Sequence, residues 1–235
     1  MFTHYSTPVF ILEGRERKEA DMTFTLFSEK FGRVEVVGKS IRKIGSKLRG
    51  GIFPFSVSEV EFVRGRHFNI LTYAKTRADF PAVKRNLSKL CAAYKIKEVF
   101  NLLVRGKEED KDVWRLLIGV FRALDRESQG KAQLLYLFFL SELLSYLGYC
   151  PELHTCLDCG GKLKRGKLYF CPQGGIICPD CQSGLRKGKR IEIDVDTVKV
   201  LREMEKGLER VLKLKADRAV LINTEKVLDF YISYI

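Results

Sequence analysis

Histidine is scarce in this sequence, with only three residues among 235. His4, His67 and His154 are the only imidazoles that could act as a general acid or base, and none lies near a plausible nucleophile in the chain. Gly38-Lys39-Ser40 resembles the end of a phosphate-binding P-loop, but Arg33 stands where that motif requires a glycine. The sequence therefore predicts a protein that is not an enzyme.

Long apolar runs are also missing, and no secretion leader is predicted from the N-terminal residues. The most apolar stretch, Leu134–Leu140, ends at Ser141 and is much shorter than the roughly 20 residues that span a bilayer. Such a stretch is typical of a buried helix. The N-terminal residues do not combine a basic segment with an apolar one, so nothing predicts secretion. We therefore expect a cytoplasmic protein that does not enter a membrane.

Acidic residues are too few to balance the basic ones. The chain has 42 Lys and Arg against 29 Asp and Glu, which gives a net charge of +13. A charge of this size attracts polyanions over long distances, so nucleic acid or an acidic membrane surface is the natural partner. Composition alone does not decide between these two.

The first eighty residues have the pattern of β-strands. Short runs rich in Val, Ile, Phe and Thr alternate with turn residues, which predicts five strands. The predicted strands are Pro8–Gly14, Met22–Ser28, Arg33–Ser40, Val57–Arg64 and Phe68–Lys75. This spacing favours a small closed barrel of the OB type, although a small sandwich or an SH3-like barrel would have nearly the same pattern.

After Pro81 the apolar residues recur every three or four positions, which is typical of amphipathic helices. The predicted helices are Ala82–Phe100, Val113–Leu124 and Lys131–Leu147. Short charged connections between them favour an antiparallel bundle. Two further helices are predicted over Thr197–Met204 and Glu225–Ile232, and we expect them to pack on the bundle.

Five of the seven cysteines lie between positions 156 and 181. Cys156 and Cys159 form one C-x2-C pair, and Cys178 and Cys181 form a second pair after eighteen intervening residues. This spacing is typical of zinc sites in which each pair supplies two corners of a tetrahedron. Four thiolates leave no open position for water or substrate, so we predict one structural Zn²⁺ ion and no catalytic metal.

The other cysteines and the nearest histidine have different predicted roles. Cys171 lies between the two pairs and matches the spacing of neither, so we interpret it as a spare thiol or a neighbour of the metal. His154 precedes the first pair by two residues, but a single histidine is more often exposed or hydrogen-bonded than a ligand. Cys91 and Cys150 lie in apolar helical segments, and we expect them in the core.

One segment combines positive charge with an absence of acids, because no Asp or Glu occurs between Val36 and Ser58. Its basic residues are Lys39, Arg42, Lys43, Lys47 and Arg49. Gly45, Gly50 and Gly51 loosen its backbone, and it falls between the predicted third and fourth strands. It is therefore a candidate for binding a phosphate backbone without reading bases, the alternative being a solvated loop.

A second basic cluster surrounds the cysteine pairs, where eight basic residues against Asp180 alone give residues 160–190 a net charge of +7. Its cations are Lys162, Lys164, Arg165, Lys167, Arg186, Lys187, Lys189 and Arg190. Binding and solubility are both open as roles for them. Aromatic residues of the barrel could stack on bases, but strand spacing favours the core for most of Phe53, Phe55, Phe68 and Tyr73.

Four segments have the pattern of a known family. Residues 137–160, LFFLSELLSYLGYCPELHTCLDCG, combine a predicted helix with an L-G-Y-x-P-x-L turn and a C-x-x-C-G pair. Residues 174–181, GGIICPDC, place the second cysteine pair after two glycines. Residues 26–34, LFSEKFGRV, and the basic residues 46–49, SKLR, lie in a predicted hairpin and the loop that follows it. In these segments and their order, the whole chain resembles the RecO family of bacterial recombination and repair mediators.

The resemblance implies an α+β protein in which a five-stranded OB-fold barrel is followed by an α-helical bundle with an inserted four-cysteine zinc ribbon. The implied segments are a DNA-binding OB-fold at 1–79, the bundle at 80–150, the zinc ribbon at 151–190, and C-terminal helices that pack on the bundle at 191–235.

The resemblance also implies a function without catalysis. Proteins of the family bind single- and double-stranded DNA, anneal complementary strands, associate with RecR, and help RecA to replace single-strand-binding protein. We accordingly expect a nucleoid-associated mediator that binds DNA through the basic segment from Lys39 to Arg49. The alternative is a non-catalytic zinc-ribbon adaptor that binds RNA or an acidic protein partner and uses the barrel only as a scaffold.

Overall fold

The computed structural model describes residues 4–106, 109–163, 166–181 and 189–235. Backbone contacts divide the chain into two compact units, one ending at Glu127 and the other beginning at Ser128. This division falls inside the segment 80–150 that the sequence assigned to one bundle. The division of the chain into four segments remains a prediction.

The first unit contains a closed five-stranded barrel. Its strands are β1 (His4–Glu16), β2 (Met22–Ser28), β3 (Gly32–Gly38), β4 (Ser56–Arg64) and β5 (Asn69–Asp79). They follow the order β1-β2-β3-β5-β4, and β4 closes the barrel by pairing with β1. All neighbours are antiparallel except β3 and β5. This is the five-stranded barrel order of the OB-fold, and the predicted α+β class is confirmed.

Alternating side chains build the core of the barrel, as expected from the two-residue period of a strand. The alternating core residues include Val9 and Ile11 of β1, Phe24 and Leu26 of β2, and Val60 and Phe62 of β4. Phe10, between two of them, is also fully buried, because its ring lies 4.6 Å from that of Phe121. β1 therefore has one face in the barrel and the other against helices.

The described residues of the first unit also form three helices. They are α1 (Pro81–Arg85), α2 (Leu87–Leu103) and α3 (Lys111–Arg126). The predicted helix Ala82–Phe100 is divided at Asn86, whose backbone is extended and whose side chain caps α2 by accepting from the Lys89 N–H. The predicted apolar stripe of α3, from Val113 to Leu124, is buried as expected.

The second unit combines four helices with a small sheet. The helices are α4 (Ala132–Tyr146), α5 (Val195–Met204), α6 (Leu208–Lys213) and α7 (Arg218–Ile232). Every residue from Leu134 to Leu140 is buried, which confirms the predicted core helix. α5, α6 and α7 all contact α4. The short helix α6 was not predicted from the sequence.

The sheet of the second unit carries the cysteine pairs. Its strands are β6 (Glu152–Cys156), β7 (Leu168–Cys171), β8 (Gly175–Ile177) and β9 (Ile191–Ile193), in the order β6-β8-β7-β9. β8 lies parallel to β6 and antiparallel to β7. The sheet is anchored to α7, because the ring of Phe170 lies 5.6 Å from that of Tyr231.

Two residues expected in the core are instead exposed, namely Cys91 and Cys150. Cys91 lies on α2 directly before the buried Ala92 and Ala93, and one residue turns a helix by about 100°, which carries Cys91 away from the buried face. Cys150 follows the end of α4 and therefore does not share its buried side. Among the described residues, no helix has the length and apolarity needed to cross a membrane.

Candidate metal centre and basic loop

Four cysteines converge at one end of the small sheet. The Sγ atoms of Cys156, Cys159, Cys178 and Cys181 all lie within 4.8 Å of one another. In a tetrahedron with Zn–S bonds of about 2.3 Å, neighbouring sulfur atoms are about 3.8 Å apart. The cluster therefore has the ligand type, the number and nearly the spacing that a four-coordinate zinc ion requires. A four-cysteine cluster of this kind fits zinc binding.

The backbone of the first pair turns sharply so that both thiols face the same point. Cys156 ends β6, and its carbonyl oxygen accepts from the Gly160 N–H at 2.9 Å. Gly160 has a φ of +66°, a conformation that residues with a Cβ rarely adopt. The second pair closes in the same way, with the Cys181 N–H donating to the Cys178 carbonyl at 3.2 Å.

Two thiols of the cluster have pKa values that are shifted in opposite directions. Burial opposes ionisation of Cys156, but hydrogen bonds from the backbone N–H groups of Cys159, Cys178 and Asp158 outweigh it and lower the pKa of Cys156 to about 6. The Cys178 N–H lies 3.3 Å from the Cys156 sulfur. The pKa of Cys181 is raised, chiefly because its thiol hydrogen-bonds to Cys178 and Cys159. The cluster thus favours the thiolate of Cys156 and the protonated thiol of Cys181, whose proton a bound cation would displace.

Cys171 and His154 lie close to the cluster in the chain but differ from its members. Cys171 is buried beside Cys156 and Cys178 in a small apolar core, and burial raises the pKa of its thiol. It is a packing neighbour and does not belong to the group of four. The imidazole of His154 lies 3.0 Å from a carboxylate oxygen of Glu205.

The predicted basic segment forms the connection between β3 and β4, where the sequence placed it. All five of its cations are exposed: Lys39, Arg42, Lys43, Lys47 and Arg49. We call residues 39–55 the basic loop. Backbone hydrogen bonds between residues close in sequence form turns in it, with the Lys43 N–H donating to the Ser40 carbonyl and the Ser46 N–H donating to the Lys43 carbonyl.

Apolar residues hold the basic loop on the barrel. Ile41 and Ile52 are 3% and 4% exposed and belong to the barrel core, and Leu48 packs against it. Gly51 approaches β5 so closely that an added Cβ would lie 2.0 Å from the carbonyl oxygen of Ala74. The cations therefore project from a loop that is fixed at several points. Ile44 is 94% exposed near the middle of the loop.

Few acids neutralise the basic loop. Arg42 forms an ion pair with Glu16 at 3.2 Å, and the side chain of Asp21 accepts from the Ser40 N–H at 2.8 Å. Across the part of the chain that the structure describes, no carboxylate pairs with Lys39, Lys43, Lys47 or Arg49. These four charges are therefore available to a polyanion.

The other predicted nucleic-acid contacts have mixed outcomes. Of the second basic cluster, Lys164, Arg165, Arg186 and Lys187 lie outside the described residues. Phe55 is buried and packs against Phe121, with ring centroids 5.6 Å apart. Phe53 and Tyr73 are each 42% exposed. Phe68 is half-buried beneath the guanidinium group of Arg17, which lies 4.2 Å from the ring centroid.

The sequence did not predict a cleft of about 650 Å³ beside β3. We call it the β3 cleft. Its walls include four aromatic residues and several arginines, among them Tyr5, Phe31, Phe62, Arg33, Arg64 and Arg66. The one sequence signal for it is the Arg-Gly-Arg turn at positions 64–66, which places two cations at the tip of the β4–β5 hairpin.

Two family models match successive parts of the chain. The model described as Recombination protein O N terminal matches residues 1–80, and the one described as Recombination protein O C terminal matches residues 84–234. The chain belongs to the RecO family. The predicted family is thereby confirmed, and it supports a role in recombination repair of DNA.

Relatives in the RecO family match over nearly the whole length. A DNA repair protein RecO of Dehalococcoides mccartyi is 32% identical over 94% of this chain and 86% of its own. That of Desulforamulus reducens is 28% identical over 98% of this chain and 89% of its own. That of Roseiflexus sp. (strain RS-1) is 30% identical over 98% and 81%, respectively. The match therefore includes both the basic loop and the four cysteines.

Proposed function

We propose that this protein is a recombination mediator that binds single- and double-stranded DNA without sequence specificity through the basic loop. In this proposal it anneals complementary strands and, together with RecR, assists RecA in replacing single-strand-binding protein on DNA. The observation that carries the proposal is the set of five exposed cations on one fixed loop of an OB-fold barrel. Membership of the RecO family supports it.

The chemistry of the basic loop suits phosphate groups better than bases. Lysine and arginine contact phosphate oxygens at every position of a strand and release bound counterions, so such contacts give affinity without sequence information. Its five cations are Lys39, Arg42, Lys43, Lys47 and Arg49. Because Ile41 and Ile52 fix the loop on the barrel core, little of its conformational entropy remains to be lost on binding.

We further propose that the four-cysteine cluster holds one structural Zn²⁺ ion. The four thiolates of Cys156, Cys159, Cys178 and Cys181 would fill its coordination sphere, so the ion would stabilise the fold of the ribbon and would not activate a substrate. No step of the proposed function requires a catalytic group.

Salt dependence tests the basic loop directly. In the variant with all five loop cations changed to alanine, the slope of log affinity against log salt for duplex DNA should become less steep by up to about 4.5, from about 0.9 per lost phosphate contact. The measurement is fluorescence anisotropy with a labelled duplex at several salt concentrations.

A charge-matched control separates the site from the net charge. The control variant removes five exposed cations from α1, α2 and α3 of the same unit: Arg85, Lys95, Arg115, Arg122 and Arg126. It should keep nearly the slope of the unmodified protein. Equal slopes for the loop variant and the unmodified protein would show that the DNA site lies elsewhere.

A further inference from the structure

The β3 cleft lies where two neighbouring strands of the barrel pair over only a short length. β3 pairs with β5 only at Val36 and Val37, so the first half of β3 borders the cleft on the side where a neighbouring strand would otherwise lie. At its base, Tyr5 stacks on Phe62 with ring centroids 5.2 Å apart, and Phe31 meets Tyr5 edge-on at 5.4 Å. Tyr5 and Phe31 are only half-buried, which leaves aromatic surface open to the cleft.

The charge around this aromatic surface is strongly positive. Arg33, Arg64, Arg66 and Arg105 line the cleft, and Glu35 is the single acid among the lining residues. Arg33 is positioned by the carbonyl groups of Asn101 and Val104, and Arg105 by that of Leu102.

Contacts between loops connect the cleft to the basic loop. The backbone of Arg42 donates to the Ala20 carbonyl at 3.1 Å, which joins the basic loop to the turn between β1 and β2. From that turn, Arg17 extends over the ring of Phe68, a residue that itself lines the cleft. One surface of the barrel therefore carries cations from Lys39 to Arg66, with an aromatic cleft at its end.

We propose that the β3 cleft binds an unpaired nucleotide of a single strand whose preceding phosphates lie along the basic loop. This inference rests on the proposed DNA binding and assigns the cleft a part of it. Every base has a flat π-face that can stack on an aromatic ring, and the arginines can hold the flanking phosphates. A volume of about 650 Å³ is within the range of small-ligand pockets. A paired base is stacked inside the duplex, so duplex DNA would use the basic loop alone.

The test separates base contacts from phosphate contacts. We compare a short oligothymidylate with an oligonucleotide of the same length in which abasic sites replace all bases, so that the two ligands carry equal charge. The unmodified protein should bind the oligothymidylate about tenfold more tightly, as expected from the free energy of stacking one base on an aromatic side chain. Phe31→Leu should reduce this ratio towards one, Phe31→Tyr should retain it, and neither should alter duplex affinity.

Two double variants cover the case in which Phe31→Leu does not fold, as judged by circular dichroism. Arg64→Ala/Arg66→Ala removes two exposed cations of the cleft, and Arg85→Ala/Arg122→Ala removes two exposed cations of the helices. The cleft variant should weaken single-strand binding several-fold more than the helix variant. Equal effects of the two double variants, or an unchanged ratio in folded Phe31→Leu, would overturn the proposal for the cleft.

The outcomes also distinguish this proposal from the one on which it rests. If the unmodified protein binds duplex DNA with a salt slope that depends on the basic loop but binds the two oligonucleotides equally, only the cleft proposal fails. If the loop variant keeps the full salt slope, the proposed function of the loop fails, whatever the ratio between the oligonucleotides.

Discussion

Gly51 is the residue on which the position of the basic loop depends most directly. An added Cβ would lie 2.0 Å from the carbonyl oxygen of Ala74, which is far inside van der Waals contact and involves backbone that cannot rotate away. Gly51→Ala should therefore destabilise the protein by about 2 kcal/mol, which lowers the melting temperature by about 4–8 °C in a chain of this size. Thermal unfolding followed by circular dichroism measures the shift.

The neighbouring Gly50 supplies a control one residue away. A Cβ at Gly50 meets nothing within 4 Å, so Gly50→Ala changes the same loop without a steric conflict. Its melting temperature should stay close to that of the unmodified protein. Equal melting temperatures for Gly50→Ala and Gly51→Ala would contradict the close approach of the loop to β5.

Single residues also show where sequence patterns stop being informative. The convergence of the four clustered cysteines could be predicted because two thiols in a C-x2-C pair converge through local backbone turns alone. Cys91 could not be placed in the same way, because an apolar neighbourhood in sequence does not say which side of α2 faces the core. Phe31 and Tyr5 are far apart in the sequence, and their rings meet only in the assembled barrel. The β3 cleft therefore has almost no local signal in the sequence.

At the scale of elements, the small sheet is built of short strands, and the core beside its cysteines is small. β8 and β9 have three residues each, and the buried residues of that core are Cys156, Cys171, Cys178 and Ile177. Strands this short contribute few ladder hydrogen bonds, so four bonds to a cation would supply much of the local stability. The proposed zinc ion therefore acts as a cross-link between β6 and the turn after β8.

We predict that the exposed Cys159 is needed for zinc and the buried Cys171 is not. Cys159→Ser removes one of the four thiolates without disturbing a packed side chain and should lower the zinc content well below one ion per chain. Cys171→Ser changes a thiol outside the group of four and should retain the ion. Elemental analysis of the purified variants measures both. Zinc retention in Cys159→Ser at the level of the unmodified protein would contradict the assignment.

The same site should release zinc on acidification. Zinc binds thiolates, so protons compete with it, and the competition increases as the pH falls. Without metal the pKa of Cys156 is about 6, so below that value the thiol of Cys156 is mostly protonated. A colorimetric chelator should therefore detect faster and more complete release at pH 5 than at pH 7.5.

The strands of the barrel were predictable and their closure was not. Alternation of residues such as Val9 and Ile11 with others outside the barrel core marks a strand within a few residues of sequence. The parallel pairing of Val36 with Asn69 joins residues 33 positions apart and leaves no periodic trace. The helix α6 was missed for a related reason, because six residues are too few to show a helical period.

At the scale of the whole molecule, the proposed DNA contacts and the proposed metal centre belong to separate compact units. The basic loop is fixed by a barrel core that includes Ile41 and Ile52, and this core lies entirely within the first unit. The core around Cys156 and Cys178 lies in the second unit. Loss of zinc should therefore leave the conformation of the basic loop unchanged.

Strand annealing tests this independence together with the proposed function. The unmodified protein should accelerate pairing of complementary oligonucleotides over the spontaneous rate, because cations of the basic loop offset the repulsion between two phosphate backbones. The five-site loop variant should lose most of the acceleration, and Cys159→Ser should keep it. Fluorescence energy transfer between labelled strands follows the rate.

Two other outcomes of the annealing assay would each have a distinct structural meaning. If Cys159→Ser loses annealing and DNA binding together while the barrel stays folded, the zinc ribbon contributes to the DNA-binding surface, and the cations near it, such as Lys162 and Lys189, become the next residues to change. If the unmodified protein binds DNA but does not accelerate annealing, the adaptor function is favoured, because holding one polyanion requires only the charge of the loop. Annealing additionally requires that two strands be held at once, with their bases free to pair.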